Sequence, residues 1–423
     1  MNKILITFDE AKKMAKSVMK RCNILGKISE NKNIITRLYL SKEHKHVNII
    51  VEKWMQKAGM KTWQDEVGNI CGRYEGNTLN SSAILMASHL DTVKNAGKYD
   101  GILGVLSSIE IVHWFHKKNL RFNFAIEVIG FADEEGVRFG IPFLGSKGII
   151  GEWIKDWLNI IDNKGISLKR AMEGFGLNPN FFNKASRAKD DFITYLELHI
   201  EQGPYLYLEK LPLAVVKGIN GMYHLECKFI GESGHAGTVP MSCRKDVFFA
   251  FSEWLMFLRK NIQKEKYSKK IVSTIGKFNC FPNVTNVIPE SIVFSLDLRS
   301  IDNIILDNFL EEILNYAKKI SYFYKTTFIY KKKYHSFSVF FDEKLQEILL
   351  KTIKYFQKRT IEIYSGAGHD AISFAKRCPT GMIFIRCKKG ISHNPNESVL
   401  DTDVALSLQV FIKFIININQ NFL

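Results

Sequence analysis

Acidic side chains are scarce in this chain of 423 residues: 43 Asp and Glu stand against 59 Lys and Arg, a formal net charge of +16. Cysteine is scarcer still. The seven present, Cys22, Cys71, Cys227, Cys243, Cys280, Cys378 and Cys387, are odd in number, scattered and never spaced C-x-x-C. That pattern argues against a disulfide framework, a thiolate zinc site or a redox pair, and fits reduced thiols in a cytosolic protein. Long apolar runs are missing too. The opening MNKILITFDEAKK offers only a five-residue apolar run before Asp9 and Glu10, and the apolar stretch VALSLQVFIKFIIN is broken by Lys413. The expectation is a cytoplasmic protein with neither leader nor membrane span. Internal repeats and low-complexity linkers are absent.

An excess of base would by itself suggest nucleic acid, an anionic membrane or an acidic substrate. Here the lysines are spread along the chain among Ile, Asn and Phe, as in KNIITRLYLSKEHKHVNII, with no arginine-rich arm. The charge reads as composition bias, and neither nucleic acid nor membrane is an expected partner.

The length exceeds what one hydrophobic core usually serves, so two domains are expected, and 46% hydrophobic residues can fill both cores. From about Ser29 to Gly59 the text reads as helix, with Val47, Ile50, Val51, Trp54 and Met55 on one face. Asn69 to Gly76, Ala83 to Ser88, Phe124 to Ala132 and Ile193 to Ile200 read as strands, with the helix ILGVLSSIEIVHWFHKK after the second. Strand alternating with helix predicts an α/β layer structure. Between Leu213 and Tyr330 the order becomes strand, helix, strand, strand, helix, strand, which predicts a small ferredoxin-like α+β domain. The lysine-rich stretches at 264–270 and 331–333 read as solvated loops. Then come a helix (FDEKLQEILLKTIKYFQKR), a short strand (MIFIRC) and a terminal helix from near Asp401. The last block rejoins the first, so residues 1–212 with 331–423 form one domain and 213–330 an insertion.

Against so little acid, clustering is informative. The loop ASHLDTVKNAGKYDG places His89, Asp91 and Asp100 just past an apolar strand, and Asp133, Glu134, Glu135, His199 and His393 also follow apolar strands. In open α/β sheets that edge is where ligands bind. Carboxylates gathered beside apolar strands need cations or hydrogen bonds to balance their charge. Imidazole and carboxylate donors without thiolate suit Zn, Mn or Co. In ADEEGVRFG, two consecutive glutamates at a strand end point to different sides, so Glu135 is free to bind metal while Glu134 faces a water. His44, His46, His113 and His116 lack such surroundings and read as structural.

The motifs SHLDTV, YDG, ADEEGVRFG, ELHIEQGP, GESGHAGTVPM, NVIP, DLR, SGAGHDA and GISHNP, in this order from about residue 29 onward, together resemble the amidase branch of the M20 metallopeptidase family. That branch contains allantoate amidohydrolases, N-carbamoyl-L-amino acid hydrolases and β-ureidopropionases. The resemblance implies a two-domain α/β protein: a di-metal α/β/α catalytic domain with an inserted dimerisation, or lid, domain. It implies that His89, Asp100 and His199 hold one divalent ion, Zn or Mn, and that Asp100, Glu135 and His393 hold a second. Asp91 would orient His89 and Glu134 would be the general base. Peptide-cleaving relatives carry a carboxylate where this chain has His199, so peptidase or aminoacylase activity is the less favoured assignment. From the smaller domain, His235 would polarise the scissile carbonyl, while Asn286 and Arg299 hold the substrate carboxylate, some of them across a homodimer interface. Gln202 and His369 match further substrate-facing positions, and Gly366 and Gly368 would allow close backbone approach. The stretch ADEEGVRFGIPFLGSKGIIG is most similar to allantoate amidohydrolases, implying cleavage of the ureido C–N bond of allantoate to ureidoglycine, ammonia and carbon dioxide. N-carbamoyl-L-amino acid hydrolysis is the alternative. Departures from the family pattern are Tyr99 before the bridging aspartate and the two lysines of RCKKGISHNP.

Overall fold

The computed structural model describes residues 6–421. Residues 1–5, on which part of the N-terminal reading rests, and 422–423 lie outside the described residues. The chain divides into two compact units, Met1–Lys217 with Phe340–Leu423, and Gly218–Val339. The strand Thr327–Ser336 pairs along its length with Gly221–Ile230, so the boundary read at 330/331 falls inside a strand. Lys331, Lys332 and Lys333, read as a loop, lie in that strand. It forms an edge of its sheet, where lysines stay in water and discourage further strand pairing.

In the larger unit seven strands of one sheet lie in the order Lys61–Gln64, Ile70–Tyr74, Ala125–Phe131, Ala83–His89, Phe192–Ile200, Thr380–Ile385, Leu213–Ile219. The four from Ala125–Phe131 to Thr380–Ile385 run parallel, and the strands flanking them are antiparallel. Ala83–His89 and Ala125–Phe131 are buried at every residue, because layers cover both faces of the sheet. One core gathers Ile84 and Met86 with Val18, Phe115 and Leu408; another gathers Ala132 with Tyr39, Leu144, Leu168 and Phe175. The helix Ile102–Lys117 is buried over nearly its whole length. Gly104 lets it close on the sheet, since a Cβ there would lie 2.2 Å from the Leu198 carbonyl oxygen.

The helix read from Ser29 begins only at Lys42, behind Ser41, whose hydroxyl accepts the His44 N–H. Residues 29–41 follow an irregular path instead. Ser29 Oγ accepts the Thr36 N–H, and the Arg37 guanidinium reaches the Leu90 carbonyl, so tertiary hydrogen bonds override helical propensity there. A further helix, not among those the sequence predicts, spans Phe8–Leu25, and Thr7 and Glu10 form a capping box at its start.

The middle unit is an antiparallel sheet in the order Phe278–Phe281, Ser291–Ser300, Gly221–Ile230, Thr327–Ser336, with Val272–Thr274 also paired to Ser291–Ser300. Leu225, Cys227, Phe229, Phe294 and Leu296 pack on the helices Val247–Ile262 and Asn303–Phe323 around the buried Trp254. This is the ferredoxin-like arrangement the sequence predicts. The stretch KIVSTIGKFN, read as one strand, divides at Gly276, whose N–H turns to Ser295 Oγ. Among the described residues all seven cysteines are unpaired, and no helix is long and apolar enough to cross a membrane.

Candidate metal centre

The four parallel strands finish on one edge of the sheet, and each delivers part of one site. Ala83–His89 ends in His89, Ala125–Phe131 runs into Asp133, Glu134 and Glu135, Phe192–Ile200 carries His199, and Thr380–Ile385 leads to the loop bearing His393. Parallel register sets His89 beside Phe131 and His199 beside Phe384. Ligand atoms of His89, Asp100 and His199 lie within 4.8 Å of one another, as do those of Asp100, Glu135 and His393. Asp100 belongs to both groups. His199 Nε2 is 3.2 Å and His89 Nε2 3.9 Å from Asp100 Oδ1, while His393 Nε2 is 3.0 Å from Asp100 Oδ2 and 3.3 Å from Glu135 Oε1.

The donor set fits a divalent cation. His89 Nδ1 faces the Asp91 carbonyl oxygen at 3.1 Å and His199 Nδ1 the Ile200 carbonyl oxygen at 2.8 Å. A carbonyl oxygen only accepts, so each Nδ1 carries the hydrogen and each Nε2 presents a lone pair. Those two Nε2 atoms are 3.4 Å apart. Two imidazoles on one tetrahedral ion, at ~2.0–2.1 Å each, need a nitrogen separation of about 3.3–3.4 Å. Asp100 Oδ2 is buried, and its close polar neighbour is His393 Nε2 at 3.0 Å.

The electrostatics point the same way. Burial disfavours a charged His89, yet the Asp91 side chain and the charges of Glu134 and Asp100 overcome it and raise its pKa well above the usual value. For His393, burial is outweighed by Asp100 and Glu135, which push it up to about 10. His199 goes down to about 4, chiefly through burial. Asp100 is pulled below the usual carboxylate range by His393, His199 and His89 despite its burial, whereas burial raises Glu134 well above it. Positive charge is demanded at this edge of the sheet, and protons or a divalent ion supply it.

Neighbouring groups fix the geometry. Asp91 Oδ1 accepts the Glu134 N–H at 3.0 Å, Oδ2 accepts the Glu135 N–H at 3.2 Å, and Oδ1 is 3.4 Å from His89 Nδ1. The two glutamates sit in a loop past the strand end, so strand alternation does not separate them; the grip of Asp91 on their backbone does. Both stand with His89 in one group of atoms within 4.8 Å. Gly101 has φ +68°, and a Cβ on it would lie 2.5 Å from His89 ring atoms. Sequence reasoning missed Glu397, a buried carboxylate. Its Oε1 accepts the N–H groups of Tyr99 (2.7 Å) and Asp100 (3.2 Å), and its Oε2 accepts the Ser392 hydroxyl at 3.0 Å. Gly97 makes room for it. Arg37, also missed, braces Leu90. Asp133 is buried, with its Oδ2 unpartnered.

The remaining expected residues are distributed as follows. Gln202 Nε2 donates to Asp100 Oδ1 at 3.0 Å and lies 3.2 Å from His393 Nε2, so it covers the ligand atoms themselves. His369 is buried edge-on to His199, with ring centroids 4.4 Å apart, its Nε2 on Ser365 Oγ and its Nδ1 unpartnered. Gly368 packs on Phe143, where a Cβ would lie 2.7 Å from the ring, but the space beside Gly366 is open. In the middle unit, exposed His235 pairs with Val287 in a two-stranded ladder, and exposed Asn286 lies just before that strand, its carbonyl oxygen accepting the Ala236 N–H at 3.0 Å. Arg299 turns its fork to Asp297, at 2.9 and 2.8 Å. His44 is buried in the larger unit's core region beside Phe175, outside the site.

Comparison with known proteins gives a consistent picture. The profile of peptidase family M20/M25/M40 matches residues 85–417. The chain is 36% identical over 395 residues to the N-carbamoyl-L-amino-acid amidohydrolase of Pseudomonas sp. (strain NS671), covering 93% of this chain and 95% of that protein. It is 35% identical over 373 residues to the allantoate amidohydrolase of Escherichia coli (strain K12), covering 88% and 90%. Among solved structures, AtUAH in complex with glyoxylate superposes with a TM-score of 0.82 at 28% identity, over 96% of this chain and 98% of that one.

Proposed function

The chain belongs to peptidase family M20/M25/M40, and from that premise we propose that it is a metal-dependent amidohydrolase that cleaves the ureido C–N bond of a small carboxylate-bearing ureide, allantoate. The observation that carries the reading is the pair of donor groups sharing Asp100, with the Glu134 carboxyl alongside. His89, Asp100 and His199 would hold one divalent ion, and Asp100, Glu135 and His393 would hold a second, zinc or manganese. Divalent ions bound there would supply Lewis acidity toward the ureido carbonyl and a water.

The protein's own groups do the rest. Glu134 takes a proton from the attacking water and returns it to the departing nitrogen. Asp91 holds His89 and the backbone of Glu134 and Glu135 in place. Gln202 and His369 line the substrate side. His235, Asn286 and Arg299 are the smaller unit's proposed substrate-contacting residues, the histidine suited to an oxyanion and the other two to a carboxylate; for Arg299 that role competes with Asp297. The balance is one water consumed and one C–N bond broken, giving an amine and carbamic acid, which falls apart to carbon dioxide and ammonia. From allantoate the amine is ureidoglycine. We assign the enzyme to the cytoplasm, on its unpaired thiols, and to a homodimer that supplies substrate groups between subunits.

The 36% identity to an N-carbamoyl-L-amino-acid amidohydrolase supports a second reading, with the same chemistry on an N-carbamoyl-L-amino acid. Ammonia release from zinc- or manganese-loaded protein, offered each compound before and after chelation, separates the two. Chelator-sensitive preference for allantoate is expected. Preference for the carbamoyl compound moves the assignment to the second reading, and ammonia from neither overturns both.

A further inference from the structure

Arg37 is wholly buried, at 0% exposure, and burying a cation is costly unless its surroundings answer the charge. Nε and Nη1 donate to main-chain carbonyl oxygens, while Nη2 is buried without a hydrogen-bond partner among the described residues. Nε reaches Leu90 at 2.7 Å, and Nη1 reaches Leu25 and Ile28, both at 3.1 Å. Leu25 is the last residue of the helix Phe8–Leu25, whose C-terminal end favours a cation, and Ile28 lies in the turn just beyond it, its N–H donating to the Leu25 carbonyl oxygen at 3.0 Å. Leu90 lies between His89 and Asp91. The backbone strengthens the hold: the Arg37 N–H donates to Thr92 Oγ1 at 2.9 Å, and the Thr92 N–H to the Arg37 carbonyl oxygen at 3.0 Å.

The guanidinium stays charged at neutral pH. Burial lowers its pKa to about 10, and the carboxylate whose field opposes that fall is Asp91. Asp91 is the group that grips His89 and the N–H groups of Glu134 and Glu135.

We infer that Arg37 is a positioning residue of the metal centre: it pins residues 90–92 to the end of the first helix and sets a buried positive charge against Asp91, so that His89 and the Glu134–Glu135 loop share one foundation. The inference rests on the metal-site reading above. A purely structural role would instead confine its effect to folding stability.

The test is the Zn²⁺ affinity of the full chain, read by competition with a chromophoric chelator, alongside the melting temperature of the metal-free protein. Arg37→Met is expected to weaken zinc binding by ~10-fold or more, the range found when groups supporting a ligand are removed. Combined with Asp91→Asn it should add less than about threefold to the effect of that change alone, because the two act through one contact chain. Should Arg37→Met fail to fold, Arg37→Lys decides: it keeps the charge and loses the fork, and about threefold or more weaker zinc binding in a folded protein is expected. A lowered melting temperature with unchanged zinc affinity, or full additivity with Asp91→Asn, overturns the inference. Failure of the unaltered protein to bind zinc overturns the metal-site reading instead.

Discussion

Gly101 couples a backbone angle to a ligand's position. Its φ of +68° is strained for any residue with a side chain, and the His89 ring occupies the space a Cβ would need. Gly101→Ala therefore meets two costs: about 1 kcal/mol or more of backbone strain, and displacement of a ligand whose Nε2 faces that of His199. The expected outcome is a folded protein, slightly less stable in urea, with zinc affinity down ~10-fold; unchanged affinity would show that His89 is not held by this contact. Glu134 makes the complementary case. Glu134→Gln keeps the shape of the side chain and leaves His89, Asp100, His199, Glu135 and His393 untouched, so metal content should match the parent protein. Turnover should fall by ~10²–10⁴-fold, the usual worth of a general base. Full turnover with metal retained would remove Glu134 from that role.

At the scale of elements, the sheet edge was legible because acids are rare in this chain and fall repeatedly just after apolar strands; His89, Asp100, Glu135, His199 and His393 could be gathered that way. Less legible were the groups whose roles depend on distant contacts. Arg37 in NIITRLYL carries no spacing signature, and Glu397 bonds the N–H of Tyr99 across 298 positions. Lys331 to Lys333 read as a loop because charge patterns do not announce an edge strand. The Thr7–Glu10 capping box, by contrast, is a local signal that marks the start of the helix Phe8–Leu25. Glu397 clasps the Asp100 loop to the His393 loop, so Glu397→Ala should speed amide exchange in both loops and weaken zinc binding, whereas Glu397→Gln, which keeps one acceptor oxygen, should do so less. Exchange unchanged in the 97–101 segment would refute the clasp. The helix Lys42–Lys57 carries a different liability. His44 Nδ1 accepts the Leu40 N–H, and burial lowers its pKa to about 3. The unfolded chain, near 6.5, binds the proton more readily, so stability is complete above pH 6.5 and falls as pH drops from there toward 3. His44→Gln should flatten that part of the stability profile; an unchanged slope in urea titrations across the window would exclude His44 as its source.

For the whole molecule, the separation of cores has a thermodynamic consequence. Every expected metal ligand, with Asp91, Glu397 and Arg37 behind them, belongs to the unit formed by Met1–Lys217 and Phe340–Leu423, while the Trp254 core belongs wholly to Gly218–Val339. An ion that binds the folded larger unit stabilises it by mass action, by about 2.7 kcal/mol when free metal stands at a hundredfold its Kd. Nothing in that linkage reaches the smaller unit unless the two unfold as one cooperative block. Hydrogen exchange on the full chain, with zinc and after chelation, reads both units at once. Zinc should slow exchange strongly around His89, residues 97–101 and Glu134, and in the strands behind them, while leaving the helix Val247–Ile262 within about twofold. Equal protection of that helix would show that the units unfold together, and protection in neither would argue against metal at the sheet edge.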